Sequence, residues 1–241
     1  MKRSHLVFLI VFSVLLIDQL LKFYIKLNFE YDGGFLIAGQ EWARIHFVEN
    51  EGMAFGFTFG WEYGKLLLSI FRILMVSGLI WYCSHLIQLS APTGLLVSIS
   101  LITAGALGNI IDSAFYGLLF TESSIHAPAQ FASAELPSYG TFLHGKVVDM
   151  FYFPITTFHL PDWFPIMGGE GFLFFSPIFN FADAAITTGV FTILLFQRRF
   201  FDEHPQLEKR NSDAHSVPTQ DTKIADVENR LNEPKETTEH E

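Results

Sequence analysis

The sequence predicts an integral membrane protein, mainly α-helical, with four transmembrane helices and a small β-containing external segment on the membrane surface. Three observations carry this reading. Half of the 241 residues are hydrophobic and 16% are aromatic, which is too apolar for a soluble domain of this size. Four windows approach the ~20 predominantly apolar residues needed to cross a bilayer. Between them lie two long segments whose pattern breaks or alternates instead of continuing an apolar helix.

The windows lie near Leu6–Ile25, Leu66–Tyr82, Leu95–Tyr116 and Phe181–Phe201. Lys2 and Arg3 precede the first, and Arg198 and Arg199 end the fourth. Lys and Arg gather on the cytoplasmic side of membrane proteins, so both termini are expected in the cytoplasm, and an even number of spans agrees. The connection from Ser84 to Thr93 holds no Lys or Arg and takes its side from that count. Basic residues before an apolar stretch also mark a secretory signal, but Asp18 and Lys22 interrupt the run and no small-x-small site follows. The first span is therefore read as retained.

The external segments cover about residues 28–64 and 117–178. In the first, Arg44-Ile45-His46-Phe47-Val48 and the Phe-rich stretch from Gly52 to Gly60 read as short strands and turns. The second is rich in Ser, Ala, Pro and Gly between Thr121 and Gly145 and is expected to be a loop-like insertion. Residues 1–201 form the expected membrane domain. Residues 202–241 are polar, lack an apolar period, and are expected to be a disordered cytoplasmic tail. That tail has eleven carboxylates against five Lys/Arg, −6 of the formal −10, leaving −4 for the other 201 residues. Overall charge thus says little about a substrate, and no nucleic-acid partner is expected. A single cysteine, Cys83, excludes a disulfide framework and a Cys-rich metal site.

Charged side chains inside spans cost at least ~2.5 to 3.5 kcal/mol at the bilayer centre, so each needs a partner or a function. Asp18 and Lys22 are four apart and can pair across one helical turn. They are either a mutually neutralising structural pair or a pair that also faces a site. Arg72 has no obvious partner on its own helix, and the bland expectation is snorkelling to the outer interface. The third span ends Gly105-Ala106-Leu107-Gly108-Asn109-Ile110-Ile111-Asp112-Ser113. Its small residues permit close helix approach, and Asn109 and Asp112 share a face. Asp149 stands in the apolar frame Val147-Val148-Asp149-Met150-Phe151, and Asp183 follows Phe179-Asn180-Phe181-Ala182 at the start of the fourth span. Each carboxylate alone could be a loop or helix N-terminal residue. Brought together in a partly desolvated place, they would share one proton near neutrality, the state in which one acid activates water while the other serves the scissile carbonyl.

Five stretches, in order, resemble the lipoprotein signal peptidase family, also called signal peptidase II. They are Asp18-Gln19-Leu20-Leu21-Lys22, Asn50-Glu51-Gly52-Met53-Ala54-Phe55-Gly56, Gly108-Asn109-Ile110-Ile111-Asp112, Val147-Val148-Asp149 and Phe179-Asn180-Phe181-Ala182-Asp183. The resemblance covers essentially residues 6 to 200. The resemblance implies a polytopic aspartic peptidase that removes the signal peptide before a diacylglyceryl-modified cysteine, at the outer face of the bacterial cytoplasmic membrane. It makes Asp149 and Asp183 the catalytic pair. It makes Asn50, Gly52, Asn109, Asp112 and Asn180 groups that shape the site or bind peptide backbone, with Asp18 and Lys22 in support. The implied partners are diacylglyceryl-modified prolipoproteins and membrane lipid, with no cofactor and no metal. Two departures stand out. Ser113 occupies a place where many members carry Arg, and the intervals Asp112 to Asp149 and Asp149 to Asp183 are longer than the family pattern implies.

The competing class is a small transporter or channel, since intramembrane carboxylates also mark ion pathways. A pathway needs polar groups at several depths, which the sequence does not offer. No HExxH helix or GxSxG elbow is present. His126, His144 and His159 lack ligand-like spacing, and Ser176 has no evident base.

Overall fold

A computed structural model describes residues 2–51, 64–159, 169 and 171–202. The chain divides into two units, Met1–Gln197 and Arg198–Glu241; of the second, only the end of a helix is described. The expected tail beyond Asp202 and the Phe-rich stretch from Gly52 to Trp61 lie outside the described residues.

The helices begin and end close to the apolar windows. They are α1 (Arg3–Asn28), α2 (Gly64–Gln88), α3 (Thr93–Ile111), the single turn α4 (Gly117–Leu119) and α5 (Phe181–Asp202). A π-turn, Asp112–Tyr116, joins α3 to α4, so that 93–119 runs as one continuous span. Among the described residues, three helices are long and apolar enough to cross a membrane: Arg3–Asn28, Leu67–Gln88 and Thr93–Leu119. The expected fourth span falls on α5, whose apolar part, Phe181–Phe196, is shorter. Large apolar side chains stay exposed on α1, α2 and α5, among them Phe8, Phe12, Leu67, Trp81, Phe191 and Leu195, as lipid-facing surfaces require.

Close approach of the helices depends on glycine. A Cβ on Gly105 would collide with the Ala182 carbonyl oxygen, and one on Gly108 would lie 2.7 Å from Asp18 Oδ2. These bare positions on α3 let α1 and the start of α5 reach it at the same level. At the other end of the bundle, Arg3 donates to the carbonyl of Ala91 in the α2–α3 turn.

The sheet draws on both external segments. β1 (Gly34–Leu36), β2 (Arg44–Asn50), β3 (Val147–Tyr152) and β6 (Ile178–Phe179) form an antiparallel sheet in the order β1-β2-β3-β6. β4 (Thr156–His159) and β5 (Gly171–Phe174) pair separately. The strand expected at 44–48 is therefore present, but its neighbour is Val147–Tyr152, about a hundred residues away. Register sets Val48 opposite Asp149, Glu49 opposite Val148 and Asn50 opposite Val147. Alternation then puts Asn50 and Asp149 on one face of the sheet, and Phe47, Glu49, Val148 and Met150 on the other. That second face packs with Ile25, Tyr116, Phe120 and Ala129 into a buried core. Between Thr121 and Gly145 the described backbone forms only isolated bridges, as the Ser/Ala/Pro/Gly composition leads one to expect.

Candidate active site

Asp183 is set by the start of α5. The Asn180 side-chain oxygen accepts the Asp183 N–H at 2.9 Å, and Asp183 Oδ2 accepts the Asn180 N–H at 3.3 Å. This reciprocal cap supplies acceptors to two of the donors that any helix N-terminus leaves unpaired. Asp149 is placed by a strand instead, on β3 with only 4% of its surface exposed, while Asp183 is half-buried.

Asparagine amides join the two acids. Asn180 Nδ2 donates to Asp149 Oδ1 at 2.7 Å and to Asn109 Oδ1 at 3.1 Å. Asn109 Nδ2 donates to Asp183 Oδ1 at 2.8 Å, and Asn50 Nδ2 reaches Asp149 Oδ2 at 3.4 Å. Asn180 and Asn109 thus present N–H groups to carboxylate oxygens and offer their own oxygens to other donors, so both amides are paired at each end. The consequence falls on Asp149: burial, together with the nearby charge of Asp183, pushes its carboxyl up to about 7, against the opposing pull of Asn180, Lys22 and Asn50.

Below this pair lies an ion cluster. Lys22 Nζ sits 2.9 Å from Asp18 Oδ2 and 2.8 Å from Asp112 Oδ2, all three side chains fully buried, and it donates to Asn109 Oδ1 at 3.0 Å. Asp18 Oδ1 accepts the Ala182 N–H at 2.9 Å, so a carboxylate of α1 holds the first turn of α5 and completes the cap begun by Asn180. The Asp18–Lys22 pair is therefore both of the things the sequence allowed: mutually neutralising and tied to the site. Lys22 also compensates Asp112, a partner that the lone i,i+4 spacing did not show. The π-turn begins at Asp112, and an inserted backbone residue of this kind re-aims the side chains that follow. Asp112 Oδ2 reaches the Val148 N–H at 3.4 Å.

Of the residues singled out in the sequence, Asp18, Lys22, Asn50, Asn109, Asp112, Asp149, Asn180 and Asp183 meet in this one constellation. Gly52 lies outside the described residues, as do Phe55, Phe57, Phe59 and Trp61. Ser113 donates its hydroxyl to the Asn109 carbonyl at 3.0 Å. Arg72, expected to snorkel outward, is half-buried and interacts electrostatically with Asp183, Asp112 and Asp149. Arg44, at the start of β2, donates to the Glu41 carbonyl at 2.7 Å.

Sequence reasoning missed Gln19 and Tyr116. Gln19 Nε2 donates to Asp112 Oδ1 at 2.9 Å and its oxygen accepts the Tyr116 hydroxyl at 3.1 Å. Tyr116 stands four residues after Asp112, on the same helical face, and that spacing was the available signal. Lys26 and Glu49 were missed as well; Lys26 extends the four-residue stripe Asp18, Lys22 by one more turn.

Fold and site define a class: a multi-pass helical membrane protein whose polar groups gather where one end of a helix bundle meets a small sheet. A family model described as signal peptidase (SPase) II matches residues 10–199. A lipoprotein signal peptidase of Porphyromonas gingivalis is 41% identical over 194 residues, covering 80% of this chain and 83% of the relative. One of Amoebophilus asiaticus is 33% identical over 227 residues, 93% and 87% of the two chains. Two solved structures of a bacterial membrane enzyme, obtained by the in meso method at 2.3 Å and 1.9 Å resolution, share the fold with TM-scores of 0.53 and 0.51. They are 23% and 24% identical, and the matches cover 81% and 79% of this chain and 88% and 91% of theirs. The chain belongs to the signal peptidase II family, and is by that membership a membrane aspartic peptidase.

Proposed function

We propose that this protein removes signal peptides from diacylglyceryl-modified prolipoproteins, cutting before the lipidated cysteine, with Asp149 and Asp183 as its general acid–base pair. The observation that carries the reading is the asymmetry of the two acids within one hydrogen-bonded set. Asp149 is nearly enclosed, with its carboxyl pushed up to about 7, and Asp183 is the more open of the two. Asp149 then holds the shared proton and gives it to the scissile carbonyl, while Asp183 takes a proton from the attacking water. Asn180 and Asn109 keep the two carboxyls in register, and Asn50 stands on the sheet face beside Asp149, where an amide can meet peptide backbone.

Orientation follows the distribution of positive charge: both termini cytoplasmic and the acid pair at the outer face, with α5 as the fourth span. The substrate's acyl chains contribute about 0.8 kcal/mol per buried CH₂, which fixes the depth of the lipidated cysteine and offsets part of the entropy of positioning. The transporter reading gains no support. Along α1, after Arg3 and His5, charged side chains occur only at Asp18, Lys22 and Lys26, which is not a pathway through the bilayer.

The test is cleavage of a diacylglyceryl-modified precursor by the purified protein. Asp149→Asn and Asp183→Asn each abolish turnover while leaving a folded protein, and the unlipidated precursor is cut at least a hundredfold more slowly. Near wild-type turnover by either variant would remove that residue from the catalytic pair. Equal rates on the two precursors would contradict lipid anchoring.

A further inference from the structure

A second buried ion cluster lies on the opposite face of the β2–β3 ribbon from Asp149. Its centre is Glu49, 3% exposed, and its two carboxylate oxygens are held by different parts of the chain. Oε1 pairs with Lys26 Nζ from α1 and accepts the Ser123 hydroxyl at 2.8 Å. Oε2 faces Lys146 Nζ at 3.7 Å. Lys26, fully buried, also donates to Ser123 Oγ at 3.0 Å, and Lys146 reaches Glu122 Oε1 at 2.6 Å. The Tyr139 ring lies between the cations, its centroid 4.9 Å from Lys26 Nζ and 5.5 Å from Lys146 Nζ, and its hydroxyl accepts the Lys146 N–H at 2.7 Å.

Four of these groups, Glu122, Ser123, Tyr139 and Lys146, belong to the second external segment, whose length departs from the family pattern. Glu49 directly precedes Asn50, and Lys146 directly precedes the strand that bears Asp149. A buried carboxylate with this many partners is expensive to leave half-paired, so the cluster has one arrangement, and that arrangement sets where both strands lie.

We propose that Glu49 is a positioning residue for the Asp149–Asn50 pair, and that residues 120–146 complete the clamp that holds it. The inference rests on the catalytic reading of Asp149. A displacement of about 1 Å at a reacting group can cost on the order of a hundredfold in rate, and the clamp is one residue from Asn50 and three from Asp149 in sequence. Substrate does not touch Glu49, because Glu49 points to the far side of the sheet.

The experiment measures kcat and KM of the full-length enzyme on a diacylglyceryl-modified precursor, alongside thermal unfolding. Glu49→Gln lowers kcat at least tenfold with KM within threefold of wild type. Lys146→Met, which loosens the more exposed half of the clamp and leaves the buried pair in place, lowers kcat at least threefold. Ile25→Val, a packing loss in the same core, lowers thermal stability without lowering kcat. Glu49→Gln and Lys146→Met both within twofold of wild-type kcat, or kcat losses no larger than those of an Ile25 variant of equal stability, would overturn the proposal. Should Glu49→Gln fail to fold, Lys146→Met alone decides it by the same threshold. Turnover by Asp149→Asn would instead sink the catalytic reading, so the two failures are told apart.

Discussion

Asp149→Asn should leave an inactive enzyme that is more stable than wild type in alkaline buffer. Burial and the charge of Asp183 move the Asp149 carboxyl from its ordinary 3.8 to about 7, a difference worth about 4 kcal/mol. Because the folded state holds this proton more tightly than the unfolded chain, the stabilisation is complete below about pH 3.8 and is lost as pH rises through about 7. About 3 kcal/mol of it disappears between pH 5 and pH 8. An amide carries no proton to lose, so the variant should be flat over that interval. At pH 8 it should exceed wild type by up to about 4 kcal/mol, or roughly 8 to 16 °C in Tm for a chain of this size. The Asn180 amide donates at 2.7 Å and can donate equally to an amide oxygen, so the contact survives. Thermal unfolding of both proteins in the same detergent at pH 5 and pH 8 makes the measurement. If wild type and variant change in parallel between the two pH values, the carboxyl does not titrate there and the argument for a shared proton falls with it.

Three further outcomes are expected. The same proton sets the alkaline limb of activity: kcat/KM falls about tenfold per pH unit above about 7, and a profile flat to pH 9 would exclude Asp149 as the proton donor. Lys22→Met leaves Asp18 and Asp112 buried without their cation, costing about 3 to 5 kcal/mol or roughly 6 to 20 °C in Tm. Adding Asp18→Asn and Asp112→Asn recovers much of it, and a triple variant no more stable than the single one would show that the pairing seen at 2.9 and 2.8 Å carries no such weight. Arg72→Ala slows turnover roughly tenfold, equivalent to about 1.4 kcal/mol in the barrier. If Arg72 supplies the charge that Ser113 lacks, Ser113→Arg restores part of it, and a double variant no faster than the single one refutes that role.

The sequence alone determined three of the spans, because lipid offers no hydrogen bonds and any crossing segment must be a long apolar helix whatever its neighbours are. It also marked the chemistry: Asp18, Lys22, Asn109, Asp112, Asp149, Asn180 and Asp183 stood out because charge and amide groups in apolar frames need a reason. The short apolar part of α5 was less legible, since Gln197, Arg198 and Arg199 cut into it. Beyond the single-turn pair Asp18–Lys22, partnership was not legible. Lys22 with Asp112, Lys26 with Glu49 and Asn180 with Asp149 join residues 90, 23 and 31 positions apart, and periodicity reports only neighbours three or four residues away on a helix or two away on a strand. Tertiary structure decided these pairs through the bare flank of α3 at Gly105 and Gly108 and through the pairing of β2 with β3. Together these bring separate polar groups to one level, where desolvation penalises any group left without a partner and so selects a single arrangement.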